Sequence, residues 1–237
     1  MKKTKIDRSI DTEALGFQVR ESYKTARTNI AYSIFKKGCK KVAFTSSTKG
    51  EGKTVTSINV ASALAQQVGT KVIVVECDLR RPRVNTALRI TPTPGLTNYL
   101  NEECSFEDIV KDTKIENLKA ITYGAIPPNP SELLASESMS DLIKTLEKQF
   151  DYIIFDTPPI GVVIDALPIM KASDGVVIVA RNNSTTYPEL ARTVEVIKRT
   201  NAKIIGVILN RVKPHETRKG KGYYSRYGGY YKSSAKE

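Results

Sequence analysis

KVAFTSSTKGEGKTV, residues 41–55, decides the fold. Lys41–Thr45 is a short apolar run of strand character, and a helical pattern follows over 54–67. Between them lies SSTKGEGKT, residues 46–54, close to the phosphate-binding pattern G-x-x-x-x-G-K-[ST]. Each residue type has a chemical reason. Gly50 and Gly52 let successive backbone N–H groups turn inward around phosphate oxygens. Lys53 reaches the β- and γ-phosphates, and Thr54 offers a hydroxyl to Mg²⁺. The helix directs its positive dipole end at the anion. The first glycine of the pattern is replaced by Ser47, a residue small enough to make the turn. The nucleotide-binding candidates are therefore Ser47, Lys49, Gly50, Glu51, Gly52, Lys53 and Thr54, with Thr56 in the following turn.

Outward from this loop, strands and helices alternate. KVIVV (71–75), YIIF (152–155), VVIVA (176–180) and KIIGVIL (203–209) read as buried strands, with a weaker one at 117–121. Helical spacing covers 13–37, 138–149 and 188–200. Strands apolar on both faces, alternating with helices, predict an α/β fold with a mostly parallel, doubly wound sheet of the P-loop NTPase type. Ligands of such folds sit beyond the carboxyl ends of the strands. Acids stand there: Glu76 and Asp78 in VVECDLRRP (74–82), and Asp156 in IIFDTPP (153–159). Asp156, after an apolar run, has the form of a Walker B metal-holding acid. Glu76 and Asp78 are two apart and share a face of an extended chain. They suit metal positioning or abstraction of a proton from an attacking hydroxyl. Arg80 follows as a cation able to stabilise a transferring phosphoryl group. It could equally pair with a nearby acid. Asn210, after the last strand, is a candidate for reading a purine edge.

Composition narrows the rest. The chain has 237 residues, enough for one large domain, and none of its apolar runs approaches a membrane span. The basic start MKKTKIDRSIDTE has no apolar segment after it and does not read as a signal peptide. Cys39, Cys77 and Cys104 lack metal-ligand spacing and read as free thiols; His215 stands alone. The net charge is +12, and residues 213–237 supply +5 of it, seven Lys/Arg less two Asp/Glu. That segment also holds five of the eleven tyrosines: Tyr223, Tyr224, Tyr227, Tyr230 and Tyr231. It reads as a flexible basic Gly/Tyr-rich tail following one domain over residues 1–212.

The three loops, in this order and ending in a tyrosine cluster, resemble the bacterial tyrosine kinases of capsule and exopolysaccharide synthesis. The resemblance runs from about Glu21 to the end and includes GAIPPNPSELLAS, residues 124–136. It implies an ATP- and Mg²⁺-dependent protein-tyrosine kinase, with Lys53 and Thr54 on phosphates and metal and Asp156 on the metal. Asp78 is implied as base or metal ligand, Arg80 beside it, and the five tail tyrosines as phosphoacceptors. It also implies self-association into a ring through Glu21, Lys24 and Arg27. The implied partners are a membrane-embedded activator (a polysaccharide co-polymerase), a cognate tyrosine phosphatase and other protein substrates, but no nucleic acid. The implied location is cytoplasmic, at the inner face of the membrane through that activator. Two positions depart from the family pattern. Glu76 replaces an Asp, and Lys24 replaces an Arg whose forked contacts a lysine cannot make.

The main rival is a non-kinase ATPase of the partition or positioning type. Those carry a second lysine five residues before the main one, where this chain has Thr48. A nucleic-acid or anionic-lipid binder is a second rival, since the tail mixes cations and aromatics. Its aromatics lie on a Gly-rich segment rather than on a sheet platform. A third reading takes the tail as a solvated terminus, against which its aromatic content argues.

Overall fold

The computed structural model describes residues 16–212. The expectations for the basic lead, His215 and the five tail tyrosines lie outside these residues. A seven-stranded sheet carries the chain in the order β3-β4-β2-β5-β1-β6-β7. Its strands are β1 (Lys40–Ser46), β2 (Val72–Glu76), β3 (Lys111–Asp112), β4 (Leu118–Ile121), β5 (Tyr152–Asp156), β6 (Gly175–Arg181) and β7 (Ile204–Asn210). All neighbours pair in parallel except β3, which runs antiparallel to β4.

The apolar runs are buried as both-faced strands should be. Every residue of β2 and β5 is buried, because each lies inside the sheet with a layer of side chains above and below. One layer gathers Ile73, Val75, Ile153 and Phe155 with Met139, Leu142 and Leu146 of a helix. The other gathers Val42, Phe44, Val74 and Ile154 with Ile58, Ala61 and Leu64 of another. β7 is the exception: Val207 and Leu209 are about half exposed, since β7 is an edge strand and its pairing with β6 is interrupted near Val176.

The long helices are α1 (Phe17–Ser33), α2 (Lys53–Ala65), α7 (Glu137–Glu147) and α9 (Tyr187–Lys198). Five short ones, which the sequence does not announce, are α3 (Val84–Leu88), α4 (Leu96–Leu100), α5 (Phe106–Ile109), α6 (Pro130–Leu134) and α8 (Leu167–Ala172). Each spans fewer than two turns, too little for a 3.6-residue period to show. The helix expected over 13–37 is shorter, because Ile34 already has an extended backbone. In α7, Met139, Leu142, Ile143 and Leu146 form the buried stripe, and the Ser136 hydroxyl caps the start by accepting the Met139 N–H at 3.1 Å.

This topology gathers chemistry at one edge. β1, β5 and β2 are neighbours, and Asp156 is in register with both Phe44 and Glu76. The two acidic strand ends therefore stand beside the point where β1 enters the phosphate loop.

Candidate active site

Gly50 and Gly52 both have positive φ (85° and 95°), the conformation that the inward-turned loop requires. Gly52 has a second reason to lack a side chain. A Cβ there would come within 2.0 Å of the Asn210 amide nitrogen. That amide donates to the Glu51 carbonyl at 3.0 Å, so the end of β7 is fastened to the loop. Glu51 is buried, accepting the Thr48 N–H (2.9 Å) and the Thr185 hydroxyl. Ser47 is buried too, and its hydroxyl accepts that of Thr193 on α9 at 2.8 Å. Gly161 comes so close that a Cβ would lie 2.2 Å from the Ser47 carbonyl. Four segments thus hold the loop before any ligand does. Lys49 is exposed at its rim.

Lys53 turns back into the fold. Its ammonium donates to Asp156 Oδ1 at 2.9 Å and lies 3.5 Å from Asp78 Oδ2. Burial works against its charge, but Asp156, Asp78 and Glu76 together win and raise its pKa. The Thr54 hydroxyl donates to Asp156 Oδ2 at 2.6 Å. Asp156 is fully buried. Asp78 Oδ1 accepts the Arg81 N–H at 3.1 Å. Burial raises the Asp78 carboxyl; Lys53 opposes this, and Asp156 adds to it.

Glu76 behaves differently from its neighbour two residues on. It is fully buried, and one carboxylate oxygen accepts the Arg83 and Val84 N–H groups at 2.8 and 2.6 Å. It holds the start of α3 from beneath, and burial with Asp156 nearby pushes its pKa well up despite Lys53 and those two N–H groups. Arg80 pairs with an acid, Asp165, through the Nε–Nη2 edge of its guanidinium. Thr56, in the first turn of α2, is buried and lies with Asn59 against the Tyr23 hydroxyl of α1, while its N–H donates to the Gly52 carbonyl at 2.9 Å. On α1, Glu21 and Lys24 pair at 2.8 Å in solvent, while Arg27 donates to the Ala63 carbonyl of α2 at 3.2 Å.

Sequence reasoning passed over Asp165, Ser131, Thr185 and Thr193. None sits in a spacing pattern, and they meet the loops only through the fold. The donors around Lys53 suit Mg²⁺. This hard ion takes one or two protein oxygens and completes its shell with water and phosphate. Thr54 and Asp156 offer an adjacent hydroxyl and carboxylate, and Asp78 a further carboxylate on the same lysine.

A phosphate loop on a parallel sheet, with acids at adjacent strand ends, defines a P-loop nucleotide-binding protein. A family described as AAA domain matches residues 39–207. The chain is 38% identical over 210 residues to the tyrosine-protein kinase YwqD of Bacillus subtilis strain 168, covering 89% of this chain and 85% of that one. The solved chimerical protein CapA2B2 superposes with a TM-score of 0.81 at 32% identity, over 88% of this chain and 92% of that one. The septum site-determining protein MinD of Pyrococcus horikoshii OT3, complexed with Mg-ADP, shares the fold alone. Its TM-score is 0.62 at 23% identity, over 76% of each chain. The chain belongs to the family of bacterial tyrosine-protein kinases. No helix among the described residues is long and apolar enough to cross a membrane.

Proposed function

We propose that this protein-tyrosine kinase transfers the γ-phosphoryl group of ATP to tyrosine hydroxyls, those of its own residues 223–231 among them. The observation that carries the reading is Lys53 held between Asp156 and Asp78 at the mouth of a formed phosphate loop. Lys53 and the loop amides grip the β- and γ-phosphates, the ammonium exchanging carboxylate contacts for phosphate oxygens. Mg²⁺, when bound through Thr54 and Asp156, draws charge from those oxygens. Asp78 accepts the proton from the tyrosine hydroxyl as that oxygen attacks phosphorus; the bond to the β-phosphate oxygen breaks and ADP leaves. A raised pKa makes Asp78 a better proton acceptor than an ordinary carboxylate. Glu76 keeps the Asp78 loop in place rather than sharing the proton.

The family supports further parts of the reading. These are a membrane-embedded co-polymerase as activator, control of capsular or exopolysaccharide synthesis at the inner membrane face, and reversal by a tyrosine phosphatase. Ring assembly through the Glu21–Arg27 segment belongs with them. The loop also departs from the partition ATPases: Thr48 stands where they carry a lysine, and its N–H is spent on Glu51. The test is intact-mass analysis of the full chain after incubation with Mg-ATP and the cytoplasmic end of its membrane activator. Wild type gains phosphates that map to the tail, and Lys53→Ala gains none. A wild-type chain that stays unmodified under these conditions ends the kinase reading.

A further inference from the structure

Three segments far apart in sequence meet at one buried carboxylate. Asp165 is 2% exposed in the loop between β5 and α8. Its Oδ2 accepts Arg80 Nε at 2.5 Å, and its Oδ1 accepts Arg80 Nη2 at 3.2 Å. The same Oδ1 accepts the hydroxyl of Ser131, from the PNPSELLAS stretch that opens α6. Arg80 itself is half exposed and lies two residues beyond Asp78.

An arginine at a surface ordinarily samples many rotamers, and pairing it with an exposed acid fixes little. Here the acid is buried and bound on both oxygens, and the fork of the guanidinium matches it edge to edge. The pair uses the Nε–Nη2 edge. Nη1 lies on the opposite side of a half-exposed guanidinium close enough to Asp78 to feel its charge. We infer that Asp165 is a positioning residue, seconded by Ser131, which holds Arg80 so that its free edge meets the anionic oxygens of the transferring phosphoryl group. This rests on the phosphoryl-transfer reading of the site. It also gives the 124–136 stretch a part in the site, because Ser131 takes the second lone pair of Asp165 Oδ1 beside Arg80 Nη2.

The test is a double-variant cycle on the full chain, read as kcat, as KM for ATP, and as nucleotide affinity by ADP titration. Asp165→Asn keeps the shape but sets an NH₂ against one N–H of Arg80, and so breaks the fork. It is expected to lower kcat about ten-fold or more with KM and ADP affinity within about two-fold, the size lost with one transition-state donor or somewhat less. Arg80→Ala gives a similar loss, and Arg80→Ala with Asp165→Asn is no slower than Arg80→Ala alone. Ser131→Ala gives a loss of a few-fold. A wild-type kcat in Asp165→Asn, or losses that multiply in the double variant, overturns the inference. So does a fall in thermal stability without a fall in kcat, which would mark Asp165 as a plain clasp. The cycle is read in parallel on ATP hydrolysis. A chain that hydrolyses ATP without making phosphotyrosine fails the kinase reading while this inference is still decided.

Discussion

Lys53 carries two burdens, and removing it exposes both. It grips phosphate in the proposed reaction, and it neutralises the buried Asp156 and the largely buried Asp78. Breaking a buried ion pair by deleting one partner is strongly destabilising, because the other charge stays behind. Lys53→Ala is thus expected to lose roughly 3 kcal/mol of stability in addition to its activity. Urea unfolding of the nucleotide-free chain checks this; an unchanged midpoint would show that the acids relax without their cation. Glu76 gives a pH-dependent counterpart. Its folded pKa is raised, so the folded chain holds its proton more tightly than the unfolded one does. The cost of its charge is absent in acid and sets in as pH rises through the unfolded value near about 4.3. Glu76→Gln still accepts the Arg83 and Val84 N–H groups, and is expected to be more stable than wild type at pH 8 and nearly equal to it at about pH 3.5, below the unfolded value. An equal gain at both pH values would trace the effect to packing instead of charge.

The elements that sequence patterns announced are those that complete their own pattern. α7 shows its stripe over eleven residues, and β2 and β5 are uninterrupted apolar runs. The five short helices and the two-residue β3 have no room for a period and are specified by what surrounds them. The phosphate loop was legible because its chemistry demands fixed spacing, and Asp78 and Asp156 because they follow apolar strands at their carboxyl ends. Asp165 was not, since its partners lie 85 and 34 residues away. Glu76 shows what face-sharing leaves out: alternation put it beside Asp78, but one of its carboxylate oxygens accepts two backbone N–H groups and holds the start of α3. α9 is a case where local signal and tertiary role coincide. Thr186 and Glu189 form a reciprocal capping box, with the Thr186 N–H donating to Glu189 at 2.8 Å. The same helix presents Thr193 to Ser47 of the phosphate loop. Thr186→Ala is expected to cost about 1 kcal/mol. That is a fall in melting temperature of roughly 2–4 °C for a chain of this size. Calorimetry measures it, and a loss under about 0.3 kcal/mol would mean that packing alone holds the helix start.

Across the molecule, the site is the place where segments distant in sequence are tied together. The phosphate loop is fastened by Asn210 of β7, Thr185 of the β6–α9 connection, Thr193 of α9 and the backbone near Gly161. The acids close it from β5 and β2. A nucleotide that grips this loop meets a surface that exists only when all of these segments are folded, so it binds the folded chain and not the unfolded one. Mass action then fixes the size of the effect. ADP with Mg²⁺ at a hundred times its dissociation constant adds about 2.7 kcal/mol. The melting temperature should rise by roughly 5–10 °C. Because the stabilisation enters through the shared loop, the whole domain should still melt in one step, with the shift climbing by the logarithm of ligand concentration. Lys53→Ala should begin from a lower melting temperature and show almost no rise at the same ADP concentration. A normal rise in that variant would place the main grip on the phosphates in the loop amides rather than in Lys53. A second transition appearing with ligand would show that some of the tied segments melt on their own.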